Sequence, residues 1–90
     1  MLRIVQSQPE DELDLHGATV DEAIPRLDEF IHVAFRQGRW CVWIIHGKGN
    51  GTLRRAIRRH LSRHSLVKRM ATADRSSGGS GVTEVKLADA

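Results

Sequence analysis

The strongest constraint on the fold of this chain is an apolar run that passes through a glycine-rich loop into a helix-like segment. Residues 40–45 are apolar at both alternating positions, which predicts a strand buried on both faces. His46 ends the run, glycines follow at positions 47, 49 and 51, and residues 52–64 carry apolar side chains at helical spacing. This order predicts an interior strand, a tight loop and a helix, which is the local plan of an α/β fold.

The glycine loop is the first candidate for a binding site. Gly47, Gly49 and Gly51 can adopt positive φ and let the backbone approach a ligand closely. The amide groups that open the following helix lack partners within the helix and carry its positive dipole end, so they attract anions. Lys48 adds a positive charge, and His46 adds a group that titrates near neutral pH. The spacing matches neither the Walker motif nor G-x-G-x-x-G, so two interpretations remain open: an anion site, or a turn whose glycines serve geometry alone.

Charge is distributed unevenly along the chain, although the net charge is only +3. Residues 1–35 hold two basic and eight acidic side chains, whereas residues 36–75 hold eleven basic ones and a single acidic one, Asp74. A basic half of this kind is typical of a protein that binds a polyanion, above all nucleic acid. The alternative is an ordinary solvated helix face. The candidate phosphate-binding arginines of the second helix are Arg54, Arg55, Arg58 and Arg59.

Three further segments have the pattern of strands: residues 13–16, 65–72 and 82–87. In the first of them, apolar and polar side chains alternate, which would place Asp14 and His16 on one face. Residues 75–81 are rich in serine and glycine, so they predict a flexible loop before the last strand.

The first helix has recognisable start and stop signals. Thr19 and Glu22 form a capping-box pattern, and an apolar stripe at helical spacing follows them. Gly38 is well placed as the C-terminal cap. Pro25 lies past the first turn and removes an intrahelical hydrogen bond, so we expect a bend without a break.

The predicted order is therefore β-α-β-α-β-β, an α/β (α+β-like) two-layer sandwich with a mixed four-stranded sheet. Two strand–helix–strand units imply parallel pairs with right-handed crossovers, and the closing pair would be antiparallel. Two helices are enough to cover a single face of the sheet. We expect residues 1–12 to form a polar tail, residues 13–88 the domain, and residues 89–90 its C-terminal end.

Length and composition limit the class of protein. Ninety residues predict one domain that folds without crosslinks. The single cysteine, Cys41, excludes a disulfide framework and a multi-cysteine zinc site, and we expect it to fill the core. The sequence shows neither a signal peptide nor an apolar run of about 20 residues that could cross a bilayer. These features predict a soluble, cytoplasmic protein that does not act on membranes.

Three motifs in this order resemble the Smr (small MutS-related) domain, and the resemblance runs from about residue 13 to residue 87. The family's L-D-x-H signature falls on Leu13, Asp14 and His16, and its H-G-x-G signature falls on His46, Gly47 and Gly49. The third motif is the segment 78–87. The resemblance implies a sandwich similar to the C-terminal domain of translation initiation factor 3. It also implies binding of DNA or RNA, often with metal-assisted or nicking endonuclease activity, in DNA repair and recombination or RNA processing.

The candidate catalytic residues are Asp14, His16 and His46. The carboxyl ends of parallel strands lie at one edge of a sheet, which would bring these side chains together. Either histidine could act as general acid or base, and Asp14 could orient a histidine or help to bind a divalent cation such as Mg²⁺ or Mn²⁺. Lys48, Arg54 and the loop amides would then hold the phosphate.

Simpler roles remain open for the same residues. Asp14 could only cap a turn, and both histidines could only hydrogen-bond the backbone at strand ends. We expect His32, His60 and His64 to be surface or helix-flank residues. Three functions are therefore compared: an endonuclease, a nucleic-acid-binding module without catalysis, and a protein-interaction domain. Steep weakening of binding by salt would separate the first two from the third.

Overall fold

The computed structural model of the chain describes residues 9–73 and 79–89. Its elements are β1 (Asp11–Asp14), α1 (Val20–Arg36), β2 (Cys41–Ile45), α2 (Thr52–Ser62), β3 (Val67–Thr72) and β4 (Val82–Leu87), with a short 3-10 turn at Gly79–Gly81. This is the predicted β-α-β-α-β-β order. Residues 75–78 of the predicted flexible loop lie outside the described residues, as do residues 1–8 of the predicted tail.

The four strands form one mixed sheet in the order β1-β2-β4-β3. β1 pairs with β2 in parallel, and β4 pairs with both β2 and β3 in antiparallel fashion. The prediction of a second parallel pair was wrong, because β4 lies between β2 and β3. β4 is largely buried, whereas β3 is mostly exposed, carries Lys68 and Arg69 and contains an irregularity in its pairing. The charged side chains and irregular pairing of β3 suit the edge of a sheet, so β3 lies at the edge and β4 takes the interior position.

The first strand begins and ends two residues earlier than predicted. It spans Asp11–Asp14, so Asp11 and Glu12 belong to the sheet and not to the tail. After Asp14 the chain turns: the Leu15 amide still donates to the Ile45 carbonyl at 2.7 Å, and Leu15 is buried in the core. The sheet therefore ends at Asp14, and His16 belongs to the turn that follows.

The first helix forms as its signals predict. The Thr19 side chain accepts from the Glu22 amide, and the Glu22 side chain accepts from the Thr19 amide, which completes the capping box. The helix continues through Pro25 to Arg36 without a break. Gly38 follows with a φ of 77°, a left-handed conformation that glycine adopts at little cost.

Both helices pack on one face of the sheet and share one core with it. The largest apolar side chains of this core are Leu15, Leu27, Ile31, Ile44, Ile57 and Leu61. Each such side chain contributes about 1.5–3 kcal/mol relative to an exposed position. Cys41 is also fully buried, as expected. Within residues 9–73 and 79–89, neither helix has the length and hydropathy of a membrane span.

Candidate functional site

The first two sequence motifs meet at one end of the sheet. Asp14 at the end of β1 is in register with Ile45 at the end of β2, and the two histidines follow these strands. Gly47 has a φ of 79°, and a Cβ atom at this position would lie 3.3 Å from the Cβ of His16. Any side chain there would press against His16, so glycine permits the contact. We call Asp14, His16 and residues 46–51 the loop edge.

The third motif closes the loop edge from the other side. The amides of His46 and Gly47 both donate to the Gly81 carbonyl at 3.0 Å. A Cβ atom at Gly81 would lie 3.4–3.5 Å from the side chain of Lys48 and the backbone of Gly47, so the segment before β4 fits closely against the loop. All three motifs therefore contribute to one local structure.

Asp14 and His16 form an exposed, directly bonded pair. Nδ1 of His16 lies 2.6 Å from Oδ1 of Asp14, and the His16 amide donates to the same oxygen at 3.0 Å. The hydrogen bond from the His16 side chain, followed by that from its amide, lowers the pKa of the Asp14 carboxyl. A carboxylate can only accept, so Nδ1 carries the proton and Nε2 of the neutral ring keeps the lone pair. The His16 side chain is 69% exposed, as a group that takes a proton from a substrate requires.

His46 occupies the opposite environment. It is 4% exposed, its Nδ1–H donates to the Gly47 carbonyl at 3.0 Å, and Thr83 Oγ1 donates to its Nε2 at 2.8 Å. Burial lowers the pKa of His46, and the positive charges of Arg54 and Arg58 lower it further. His46 is therefore a neutral residue that holds the loop to β4. In this arrangement neither ring nitrogen is free for the catalytic role expected from the sequence.

The predicted metal ligands do not form a set. Among the residues that the structure describes, the ligand atoms of Asp14, His16 and His46 do not all come within 4.8 Å of one another. Both nitrogens of His46 are also engaged in hydrogen bonds. The structure therefore does not bring these three side chains together as one ligand set.

The loop leads into a helix start that favours anions. Gly51 is the N-cap of α2 with a φ of 87°, its position offers no side-chain cap, and the first turn contains no acidic residue. The Asn50 side chain accepts from the Thr52 amide at 3.0 Å. Lys48 and Gly49 are exposed beside this helix start. The positive end of the helix dipole is therefore uncompensated by charge and accessible next to a lysine.

The arginines of α2 lie in two rows. Arg54 and Arg58 are half-buried, and Arg58 donates to Thr72 Oγ1 at 3.1 Å. Nε of Arg54 is buried without a hydrogen-bond partner in the described part of the chain. Arg55 and Arg59 are exposed on the other row, and the Arg55 guanidinium reaches back to the loop, 2.9 Å from where a Cβ of Gly51 would lie.

A second cluster forms around Asp28 from the three histidines that the sequence predicted at the surface or at a helix flank. His60 and His64 both contact the Asp28 carboxylate, and His32 lies beside it. His64 follows the end of α2, and its side chain is only 7% exposed. The overlooked signal is the four-residue spacing of Asp28 with His32 and of His60 with His64, which places each pair on one side of its helix.

Sequence comparison identifies relatives of known domain type. A family model described as the Smr domain matches residues 13–88. The chain is 46% identical over 77 residues to an endonuclease MutS2 of Pelotomaculum thermopropionicum, and 47% identical over 78 residues to one of Thermomicrobium roseum. These matches cover 86% and 87% of this chain but 10% of each relative. The chain thus spans about a tenth of the length of these relatives.

Two solved structures share the fold. The Smr domain of Thermus thermophilus MutS2 superimposes with a TM-score of 0.85 and 42% sequence identity, covering 87% of this chain and 98% of that one. YdaL, a stand-alone small MutS-related protein from Escherichia coli, superimposes with a TM-score of 0.80 and 33% identity, covering 84% and 63% of the two chains. The family match and both structures agree with the three motifs that meet at the loop edge, and the chain belongs to the Smr domain family.

Proposed function

We propose that this Smr domain binds DNA or RNA and cleaves a phosphodiester bond at the loop edge. The observation that carries this proposal is the Asp14–His16 pair, with 2.6 Å between Nδ1 and Oδ1, exposed beside the glycine loop. The name endonuclease belongs to relatives about ten times as long, so their activity supports a nuclease function here without establishing it.

His16 is the proposed general base. Its Nδ1 proton is held by Asp14, so its Nε2 can take the proton of the attacking water, or of a ribose 2′-hydroxyl in RNA. The ring becomes an imidazolium, and the Asp14 carboxylate stabilises its positive charge. In serine proteases a buried carboxylate that accepts from Nδ1–H supports the catalytic histidine in the same way.

The phosphate would be held by the neighbouring positive groups. Lys48 is exposed at the loop, and the dipole end of α2 lies beside it. Arg54 has a buried Nε without a hydrogen-bond partner in the described residues, and a phosphate oxygen is a suitable acceptor for it. Charge that develops on the phosphate in the transition state would strengthen these contacts.

A binding module without catalysis is the second candidate, and the burial of His46 favours it. Hydrolysis proceeds best with a base for the nucleophile and an acid for the leaving oxygen. From the sequence, either histidine could act as acid or base, but His46 is 4% exposed and hydrogen-bonded at both nitrogens. Of the two histidines, only His16 would then be available for proton transfer, both from the nucleophile and to the leaving oxygen.

A cleavage assay separates the two candidates. Supercoiled plasmid and structured RNA are incubated with wild type, Asp14→Asn and Glu29→Gln, with and without divalent cation. Glu29 is an exposed carboxylate of α1, so its substitution is a matched control for charge. We expect Asp14→Asn to lose about 10²-fold or more in rate, since the histidine loses its orienting carboxylate. Cleavage by Asp14→Asn at the wild-type rate contradicts the nuclease mechanism, and binding without cleavage by any of the proteins establishes the module.

A binding titration tests whether the exposed arginines of α2, Arg55 and Arg59, contact nucleic acid. Arg55→Ala and Arg59→Ala should each weaken binding and reduce the slope of log K against log salt by about 1 if the arginine contacts a phosphate. Arg36→Ala removes an exposed arginine at the far end of α1 and should leave the slope unchanged. Equal slopes for all three variants would place the nucleic acid elsewhere on the surface.

A further inference from the structure

A groove between α1 and α2 gathers the side chains of a metal site. The groove has a volume of about 760 Å³, and its lining includes Asp28, His32, His60 and His64. We call it the interhelical groove. We propose that Asp28, His32 and His64 bind a transition-metal ion in this groove, and that Zn²⁺ fits the ligands. The proposal does not depend on cleavage at the loop edge.

The spacing of ligand atoms supports this assignment. Oδ1 of Asp28 lies 3.0 Å from Nε2 of His64, and Oδ2 lies 3.4 Å from Nδ1 of His32. One ligand atom from each of the three residues lies within 4.8 Å of the other two. Ligands at the usual zinc distances, placed tetrahedrally, are about 3.3 Å apart. Nδ1 of His32 also donates to the Asp28 backbone carbonyl at 2.9 Å, so it carries a proton before the ion binds. To surround one ion, His32 must leave that carbonyl and transfer the proton from Nδ1 to Nε2.

The chemistry and access of the site also suit zinc. Imidazole nitrogens with one carboxylate oxygen are common ligands of this ion, whereas Mg²⁺ prefers oxygen alone. The side chains of His32 and Asp28 are 47% and 43% exposed, so an ion can enter from the groove. His60 donates to the Asp28 carboxylate at 3.1 Å and would hold it in place as the ion binds.

Binding must change the tautomer of His64. The Leu66 amide donates to Nδ1 of His64 at 3.1 Å, so the proton of the neutral ring is on Nε2, which donates to Asp28. A metal ion at Nε2 requires this proton to move to Nδ1, and the Leu66 amide then loses its acceptor. Faster hydrogen exchange at the Leu66 amide is therefore a specific sign that His64 is a ligand.

Nearby positive charge limits the affinity. Arg55, Arg59 and Arg63 line the same groove and repel a cation. Arg63→Gln should therefore tighten zinc binding. Three protein ligands also leave one coordination position open toward the groove, where water or an anion attracted by the arginines can bind.

Calorimetric titration of the 90-residue chain with Zn²⁺ at neutral pH tests the proposal. We expect one ion per chain, with affinity at least tenfold weaker for His32→Ala and unchanged for Glu29→Gln. Both substitutions change an exposed side chain of α1, so the second controls for a general effect of substitution on this helix. Co²⁺ should give the visible absorption of a tetrahedral site with wild type and not with His32→Ala.

Absence of saturable binding to the wild type would overturn the assignment. Wild-type affinity in both His32→Ala and Asp28→Asn would overturn it too, as would loss of binding in Glu29→Gln. An unchanged exchange rate at the Leu66 amide in the zinc-bound protein would remove His64 from the ligand set and with it the site as proposed. His32→Ala changes an exposed position, so its circular dichroism should match the wild type.

Discussion

His16 and His46 belong to neighbouring motifs of one site, but the fold gives them opposite environments. His16 is 69% exposed in its side chain and bonded to a carboxylate, whereas His46 is 4% exposed and bonded to a carbonyl and a hydroxyl. Burial disfavours the protonated form of the His46 ring and lowers the pKa of His46. Membership of a motif therefore does not define a role. One histidine is suited to proton transfer, and the other to holding the loop.

The largest expected difference is in catalysis. His16→Ala should lower the cleavage rate by about 10²–10⁴-fold, because the general base is lost. Its unfolding free energy should stay close to the wild-type value, since the side chain is exposed. Cleavage kinetics and urea denaturation on the same preparation measure both quantities. A folded His16→Ala protein that cleaves at the wild-type rate would contradict the catalytic role of His16 and its difference from His46.

His46→Ala should act first on stability. It removes the acceptor of the buried Thr83 hydroxyl proton and the donor to the Gly47 carbonyl, at a cost of about 1–3 kcal/mol for a buried group left unsatisfied. Thr83 Oγ1 keeps only its 3.5 Å contact with Arg58. For a domain of this size, each kcal/mol lowers Tm by about 4–8 °C. Thermal denaturation measures the change, with His16→Ala as the exposed counterpart. An unchanged Tm would contradict the structural role of His46.

Thr83→Val tests the same contact from the other side with a smaller effect. The substitution keeps the side-chain volume but removes the hydroxyl that donates to His46 Nε2. The expected loss of unfolding free energy is about 1 kcal/mol. The double variant with His46→Ala should be less destabilised than the sum of the single variants, by a coupling of about 0.5–3 kcal/mol. Additive effects would show that the two side chains do not cooperate.

The smallest effect is on the pH dependence of stability. Burial lowers the pKa of His46 below 6.5, so the unfolded chain binds a proton more readily than the folded one. Stability conferred by the neutral ring is therefore present above pH 6.5 and declines as the pH falls below it. His46→Gln cannot be protonated and should flatten this part of the profile. Denaturation curves of wild type and His46→Gln from neutral to mildly acidic pH provide the comparison. If the stability of both proteins changes with pH in parallel, the assigned effect of His46 is contradicted.

Local signals predicted most of the elements and the meeting of the motifs. The apolar run of β2, the capping box at Thr19 and the glycine loop act through neighbours in sequence, and each forms as expected. The end of β1 was misplaced, because the alternation continues through Leu15 after the strand has ended. Leu15 lies in the turn after β1, and its apolar side chain packs into the core from there.

Contacts between distant residues account for what the sequence did not reveal. The burial of His46 depends on Thr83, 37 positions away, and the cluster at Asp28 depends on His60 and His64, 32 and 36 positions away. A single sequence contains no local pattern for such pairs. The same holds for the position of β4, since the pairing of four strands is decided by their joint burial.

The position of β4 also has a consequence for folding. β4 is the last strand in sequence, yet it joins β2 to β3, and its first residues follow the turn that accepts from the loop-edge amides. During synthesis, β1 and β2 can pair early, but β3 has no partner until residues 82–87 have left the ribosome. The sheet, the anchor of His46 and the glycine loop therefore become complete together, once residues 82–87 are available for pairing. A ribosome-bound chain stopped before residue 82 should be sensitive to protease along its whole basic half.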